Sequence, residues 1–179
     1  MAITTRLTIE DFERLPDALA YYHELVDGEL VDVSGNTPRH NSLRDLLVEL
    51  LRPYVAQRRL GKIISEQEFA FGENAHGPDV SFLRPDKALL VDNDRRVQLF
   101  VPDLAVEIVS RHDSFESLMG KAARYRQCGT SEVWVLAPKT RQAFVQSEER
   151  QTILGEDQPF ESSLIPGFSI LLGDLFDRA

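Results

Sequence analysis

Glu107 stands inside the run Leu104-Ala105-Val106-Glu107-Ile108-Val109, where every neighbour is apolar. Such a run reads as a central strand covered on both faces. A carboxylate there must be paired, protonated or bound to a metal, because an unpaired buried charge is very costly. The plainer alternatives are a structural ion pair with an arginine, or an edge strand that turns Glu107 to water. Asp79 follows Pro78 and heads the segment Asp79–Leu83. A Pro-Asp pair alone reads as a turn, but on a strand next to Glu107 it would complete a pair of oxygen ligands suited to Mg²⁺. Lys121 lies one helix later. Phe115, Leu118, Ala122 and Tyr125 recur there at helical spacing, and Lys121 sits beside that stripe, about 80° from its centre. Its stem can lie on apolar surface while its ammonium reaches the sheet. There it would stabilise a developing phosphorane charge or orient a water. The plainer alternative is a snorkelling surface lysine.

The elements that must position these side chains follow from periodicity and punctuation. Thr8 caps a short helix over Ile9 to Leu15 that Pro16 ends. Tyr21–Val26 and Glu29–Val33 flank Asp27-Gly28, the strongest short hairpin cue. Pro38 stands at a helix start, apolar periodicity runs from Leu43 to Leu60, and Gly61 stops it. Pro53 bends that helix or marks its weakest turn. Lys62–Phe71 reads as one strand, Gly72–Gly77 as a turn, Asp79–Leu83 as a short strand, and Lys87–Leu99 as mixed with a loop at 92–96. Leu104–Val109 is a buried strand and Ser114 to Gln127 a helix with Gly129 just past its end. Glu132–Leu136, Gln142–Gln146 and Gln151–Leu154 read as strands, and Leu172–Phe176 as a short helix. With no repeat, low-complexity tract or linker, residues 1–179 form one expected domain. Its class is α/β, an α+β mixed sheet flanked by helices.

The chain has 179 residues, 42% of them hydrophobic and 27% charged, enough for a sizeable core. One cysteine, Cys128, excludes an internal disulfide framework and fits a reducing compartment. The N-terminus lacks a basic-then-apolar leader, and no stretch approaches the roughly 20 apolar residues of a membrane span. The expected location is cytoplasmic, with no membrane partner. The net charge of −9 opposes charge-driven nucleic-acid binding, but the balance is uneven. From Arg39 to Lys62 there are six basic residues and two acidic ones, an excess of four. Arg44, Arg52 and Arg59 would share one helix side, either a solvated face, the preferred reading, or a patch that tracks phosphates.

The motifs in series resemble the Uma2 family, often labelled a restriction endonuclease family and formerly a domain of unknown function. They are Gly77-Pro78-Asp79-Val80-Ser81-Phe82, Pro102-Asp103-Leu104-Ala105-Val106-Glu107-Ile108-Val109-Ser110, Lys121 with Tyr125, and Gly129-Thr130-Ser131-Glu132-Val133-Trp134-Val135-Leu136. Tyr22-His23-Glu24-Leu25-Val26-Asp27-Gly28-Glu29-Leu30 and His40 add to the likeness, which spans about residues 6 to 176. It implies a restriction-endonuclease-like fold of the PD-(D/E)XK superfamily. In that superfamily a lysine follows the second acid by two residues. Here that place is Val109, and Lys121 resembles the lysine relocated to the next helix. The resemblance makes Asp79 and Glu107 the metal ligands, Lys121 the catalytic lysine, Glu24 a further acid of the site, and Mg²⁺ or Mn²⁺ the cofactor. The expected substrate contacts are His40, Arg44 and Tyr125. Ala137 departs from the family's usual Asp before Pro138, at a strand end.

The function implied is a Mg²⁺-dependent endonuclease acting on phosphodiester bonds of nucleic acid. The alternative is a catalytically silent nuclease-fold module that binds a protein partner. A homodimer is the expected assembly, with Phe144, Phe160, Ile165 and Phe168 as dimer contacts or core. His23 reads as structural or a substrate contact, His76 and His112 as solvated loop residues, and Cys128 as a small buried residue. No Gly-rich phosphate loop and no Ser-His-Asp arrangement stands out.

Overall fold

Thr8 opens the first helix, α1 (Ile9–Glu13), with a reciprocal cap: its hydroxyl accepts from the Asp11 amide, and the Asp11 carboxylate takes the Thr8 amide. In this computed structural model residues 6–111 and 113–179 are described, the Phe115 side chain excepted. The expectations placed on His112 and on the Phe115 side chain therefore lie outside the described residues. Pro16 ends the first helix, and a four-residue turn of helix that the sequence reading missed, α2 (Asp17–Ala20), follows at once. Strands β1 (His23–Val26) and β2 (Glu29–Asp32) form the expected hairpin. Asp27 and Gly28 both take positive φ, 51° and 83°, as a tight two-residue turn demands.

Helix α3 (Pro38–Gln57) starts where the Thr37 side chain accepts the His40 amide. It buries His40, Leu43, Leu47, Leu51 and Val55 along one stripe, and Pro53 lies within it. Arg59 falls beyond the helix end with a φ of 53°, so it does not share a helix face with Arg44 and Arg52 as expected. The predicted strand over Lys62–Phe71 is two strands, β3 (Lys62–Ser65) and β4 (Glu68–Phe71), in different sheets. The break is Glu66, at φ 52°, a conformation no strand continues through. The expected turn at 72–77 holds a further strand, β5 (Asn74–His76), then come β6 (Val80–Leu83), α4 (Pro85–Ala88), β7 (Val97–Gln98) and β8 (Leu104–Ile108). Helix α5 (Phe115–Gln127), capped by Ser114, precedes β9 (Glu132–Ala137), β10 (Gln142–Ser147), β11 (Gln151–Leu154), β12 (Pro159–Glu161), β13 (Ser169–Leu171) and α6 (Leu172–Asp177).

The strands form a five-stranded sheet, β2-β1-β5-β4-β7, a six-stranded sheet, β11-β10-β9-β8-β6-β3, and the pair β12-β13. The larger sheet is mixed: β8 and β9 run parallel and the remaining pairs antiparallel. One face, with Val80, Phe82, Leu104, Val106, Ile108 and Trp134, packs against the apolar stripe of α3 and against Leu172 and Leu175 of α6. The other face, with Ala105, Val133 and Val135, packs under Leu118, Ala122 and Tyr125 of α5. Phe69 and Phe71 of β4 enter this second core and bring the five-stranded sheet against α5. Each large side chain so buried stabilises by roughly 1.5–3 kcal/mol before the entropy of ordering it. The architecture is the expected mixed sheet flanked by helices. Phe160, Ile165 and Phe168 are core residues, buried with Trp134, rather than a dimer surface. Cys128 is half-buried at the edge of the second core.

Gly61 links α3 to β3 at φ 145°, where an added Cβ would overlap the Leu83 carbonyl. Gly61→Ala should therefore destabilise by about 2 kcal/mol or more. Urea unfolding followed by circular dichroism checks this; an unchanged midpoint would contradict it.

Candidate active site

Val80 of β6 lies opposite Val106 of β8 in an antiparallel ladder. One step beyond that ladder Asp79, just before β6, comes opposite Glu107, which brings the two carboxylates to the same end of the strand pair, with Glu107 on the face that α5 covers. The Asp79 Oδ2 accepts the Ile108 amide at 2.7 Å, and its Oδ1 lies 3.2 Å from Nε2 of His40, in the first turn of α3. Lys121, from the middle of α5, places its ammonium 3.1 Å from Glu107 Oε1 and 2.9 Å from Glu24 Oε1. Tyr125, one turn further, donates its hydroxyl to the same Glu107 Oε1 at 2.6 Å.

Glu24 is held from the other sheet. Its Oε1 also accepts the Gly77 amide at 3.0 Å, and its Oε2 accepts from His76 Nδ1 at 2.9 Å. Nη1 of Arg124 lies 3.4 Å from His76 Nε2, and Nη2 donates to Asp27 Oδ2 at 3.3 Å. The Tyr125 ring stacks on Phe71 at 4.1 Å and meets His76 edge-on at 5.6 Å.

The electrostatics are uneven. Burial pushes the Glu107 carboxyl up; Lys121 pulls it back, but Asp79 and Glu24 push again, leaving it at about 7. Burial would also raise Glu24, yet Lys121 and His76 outweigh it and bring that acid to about 2. Burial opposes the Lys121 charge, but its two carboxylate partners hold its pKa above the ordinary lysine value. His40 is held above its usual value because the bond to Asp79 offsets burial. His76 is pushed below its usual value, burial being the largest cause. It is thus neutral at pH 7, with Nδ1–H on Glu24 and Nε2 free to accept from Arg124.

The structure brings Glu24, Glu107 and Lys121 into direct contact and sets Asp79 beside them. His40 joins through Asp79. Arg44, one turn after His40, is ion-paired to Asp45 at 2.9 Å and to Glu66. Tyr125, expected as a substrate contact, is corrected: it is fully buried and its hydroxyl is held by Glu107, so it supports the carboxylate. His76 is corrected too. It is a buried strand residue, 2% exposed, and grips Glu24. Its signal was the Gly72-Glu73 pair between Phe71 and Asn74, a two-residue hairpin of the Gly-X kind that makes 74–76 a strand. His23 keeps a structural contact, its Nδ1 2.7 Å from the Leu19 carbonyl oxygen.

A divalent ion would find hard oxygen donors here, which suits Mg²⁺ or Mn²⁺. Both contacts on Glu107 fall on Oε1, so neither engages Oε2. Asp79 and Glu24 repel the Glu107 charge, which a cation would relieve. Among the described residues no three His, Cys, Asp or Glu side chains form a metal-ligating cluster.

A mixed sheet with helices on both faces and these side chains converging at its centre defines a restriction-endonuclease-like fold. The chain belongs to the Uma2 family, whose model, described as "Putative restriction endonuclease", it matches over residues 9–173. The fold is also that of a crystal structure of a putative nuclease belonging to DUF820 from Anabaena variabilis ATCC 29413. The two share 20% identity at a TM-score of 0.85, over 96% of this chain and 98% of that one. No curated protein matches the sequence. Among the described residues no helix is long and apolar enough to cross a membrane.

The unfolded chain ionises Glu107 near 4.5, whereas the folded, metal-free protein keeps that proton to about 7. Between those values the folded state binds more protons, so this group's contribution to stability falls as pH rises. In EDTA, Glu107→Gln should become the more stable protein as pH climbs from 5 to 8. Parallel urea titrations across that range test it; curves with a constant offset would refute the assignment.

Proposed function

We propose that this chain is a single-domain, metal-dependent nuclease that hydrolyses phosphodiester bonds of nucleic acid at Asp79, Glu107, Lys121 and Glu24. The observation that carries the reading is the half-buried Lys121 ammonium, held between the buried carboxylates of Glu24 and Glu107 with Asp79 alongside. A scaffold gains little from this arrangement, because replacing buried ion pairs by apolar residues is often neutral or stabilising. Perturbed carboxylates in such company are where acid–base and metal chemistry is found.

Asp79 and Glu107 would hold Mg²⁺ or Mn²⁺, which when bound supplies Lewis-acid polarisation of the phosphate and a water of lowered pKa. The chain's own groups do the rest. Lys121 orients the attacking water or lends positive charge to the crowded phosphorus. Tyr125 fixes the Glu107 carboxylate, and the Ile108 amide with His40 fixes that of Asp79. His76 and the Gly77 amide hold Glu24, which keeps the ammonium of Lys121 in place. His40, buried with its Nε2 on Asp79, steadies that carboxylate rather than reaching the substrate.

Asp79→Ala, Glu107→Ala and Lys121→Met should each reduce divalent-ion-dependent cleavage of plasmid DNA or labelled RNA by at least about a hundredfold. Circular dichroism should remain native. Titration calorimetry should also show Mn²⁺ binding by the wild type and none by Glu107→Ala. Full cleavage by a folded Asp79→Ala or Glu107→Ala protein would sink the reading.

A further inference from the structure

The basic excess between Arg39 and Lys62 has a destination in the fold. Arg52 of α3 and Lys62 of β3 line a cleft of about 330 Å³ together with Ile63, Ser65, Gln67 and the 91–95 loop. Arg52 and Lys62 are exposed and enter no ion pair among the described residues. The third cation, Arg95, is held by Glu13 through two hydrogen bonds, so it shapes the wall rather than seeking a ligand. Two exposed cations that enter no ion pair share this cleft with one carboxylate, Asp92, whose Oδ1 is taken by the Asp94 amide, on a chain of net charge −9.

The cleft also has a fixed relation to the active site. Strand β3 runs antiparallel to β6, with Ser65 opposite Val80 and Lys62 opposite Leu83. The Glu66 amide donates to the Asp79 carbonyl, so Glu66 stands at the candidate site, the cleft runs alongside β3, and Lys62 with its cationic side chain marks the far end. Four residues of strand separate them by about 13 Å. Helix α3 makes the same journey: His40 touches Asp79, Arg44 follows one turn on, and Arg52 stands two turns further at the cleft. One strand of duplex DNA carries a phosphate about every 3.4 Å of its axis, so the interval matches about four nucleotides.

We propose that this cleft is a phosphate-backbone subsite, in which Arg52 and Lys62 grip nucleic acid about four nucleotides from the bond held at Asp79 and Glu107. The proposal rests on the nuclease reading for the identity of the ligand. It gives an acidic protein a local cationic path to its centre, and it predicts sequence-independent, salt-sensitive grip.

The test is fluorescence anisotropy with a labelled DNA duplex of about two turns, using the full chain carrying Glu107→Gln so that the probe is not cut. Adding Arg52→Gln and Lys62→Gln should weaken binding about tenfold or more and lower the slope of log affinity against log salt by about two. Adding Lys139→Gln and Arg178→Gln, an equal charge change elsewhere, should move both far less. Thermal melts establish that each variant is folded. Equal effects of the two pairs, or an unchanged salt slope for the cleft pair, overturn the subsite. So does displacement of the duplex by inorganic phosphate at the phosphate concentration of the probe, which would mark a free-anion site. The chemistry is tested separately, by hydrolysis of a small phosphodiester by the wild-type protein with Mn²⁺. A silent wild type with cleft-dependent duplex binding removes the nuclease reading and keeps the subsite; the reverse pattern removes the subsite alone.

Discussion

The half-buried ammonium of Lys121 is the contact on which the two sheets and the centre of the molecule depend. It reaches Glu24 on the five-stranded sheet and Glu107 on the six-stranded one from a helix that packs over both. Taking three such charges out of water is expensive, and their mutual attraction repays it only if the remaining lone pairs are also satisfied. For Glu24 they are, through Gly77 and His76, whereas Tyr125 adds to only one oxygen of Glu107. The aromatic stack of Tyr125 on Phe71 keeps the helix at the height that this demands.

That arrangement leaves negative charge in excess. One lysine faces three carboxylates, since Asp79 stands beside Glu107 on the ladder. The acids divide accordingly. Glu24, gripped by the neutral His76 and by Lys121, is a firm anion. Glu107, facing two other carboxylates, holds its proton far above the ordinary range. A centre so poised is less stable than an apolar one would be. Local instability of this kind is where natural proteins place chemistry rather than strength.

Much of this geometry follows from where the chain is forced to turn. Left-handed Glu66 splits what reads as one strand, sending β3 to the six-stranded sheet and β4 to the five-stranded one. The split lets Phe69 and Phe71 join the second core and brings β5, with His76, next to β1 and Glu24. The same residue receives Arg44 and donates its amide to the Asp79 carbonyl. It therefore ties α3 to the catalytic end of β6.

The sequence by itself singled out Asp79, Glu107 and Lys121 as candidates and marked most of the elements that carry them. A lone acid in an apolar run, an acid after proline and a lysine at the rim of a helical stripe are local signals. Asp-Gly between strand-like runs, Thr8, Ser114 and Gly61 mark boundaries for equally local reasons of backbone chemistry. Only the tertiary structure decided which sheet each strand joined, because a single left-handed residue at Glu66 has no compositional mark. It alone revealed His76 as a buried partner of Glu24, since a histidine four residues past a glycine looks solvated until its neighbours across 52 positions are known. It turned Tyr125 from a ligand contact into a support, and it decided between dimer contact and core for Phe160, Ile165 and Phe168 in favour of core. Burial and pairing are properties of positions brought together from afar, and no window along the chain contains them.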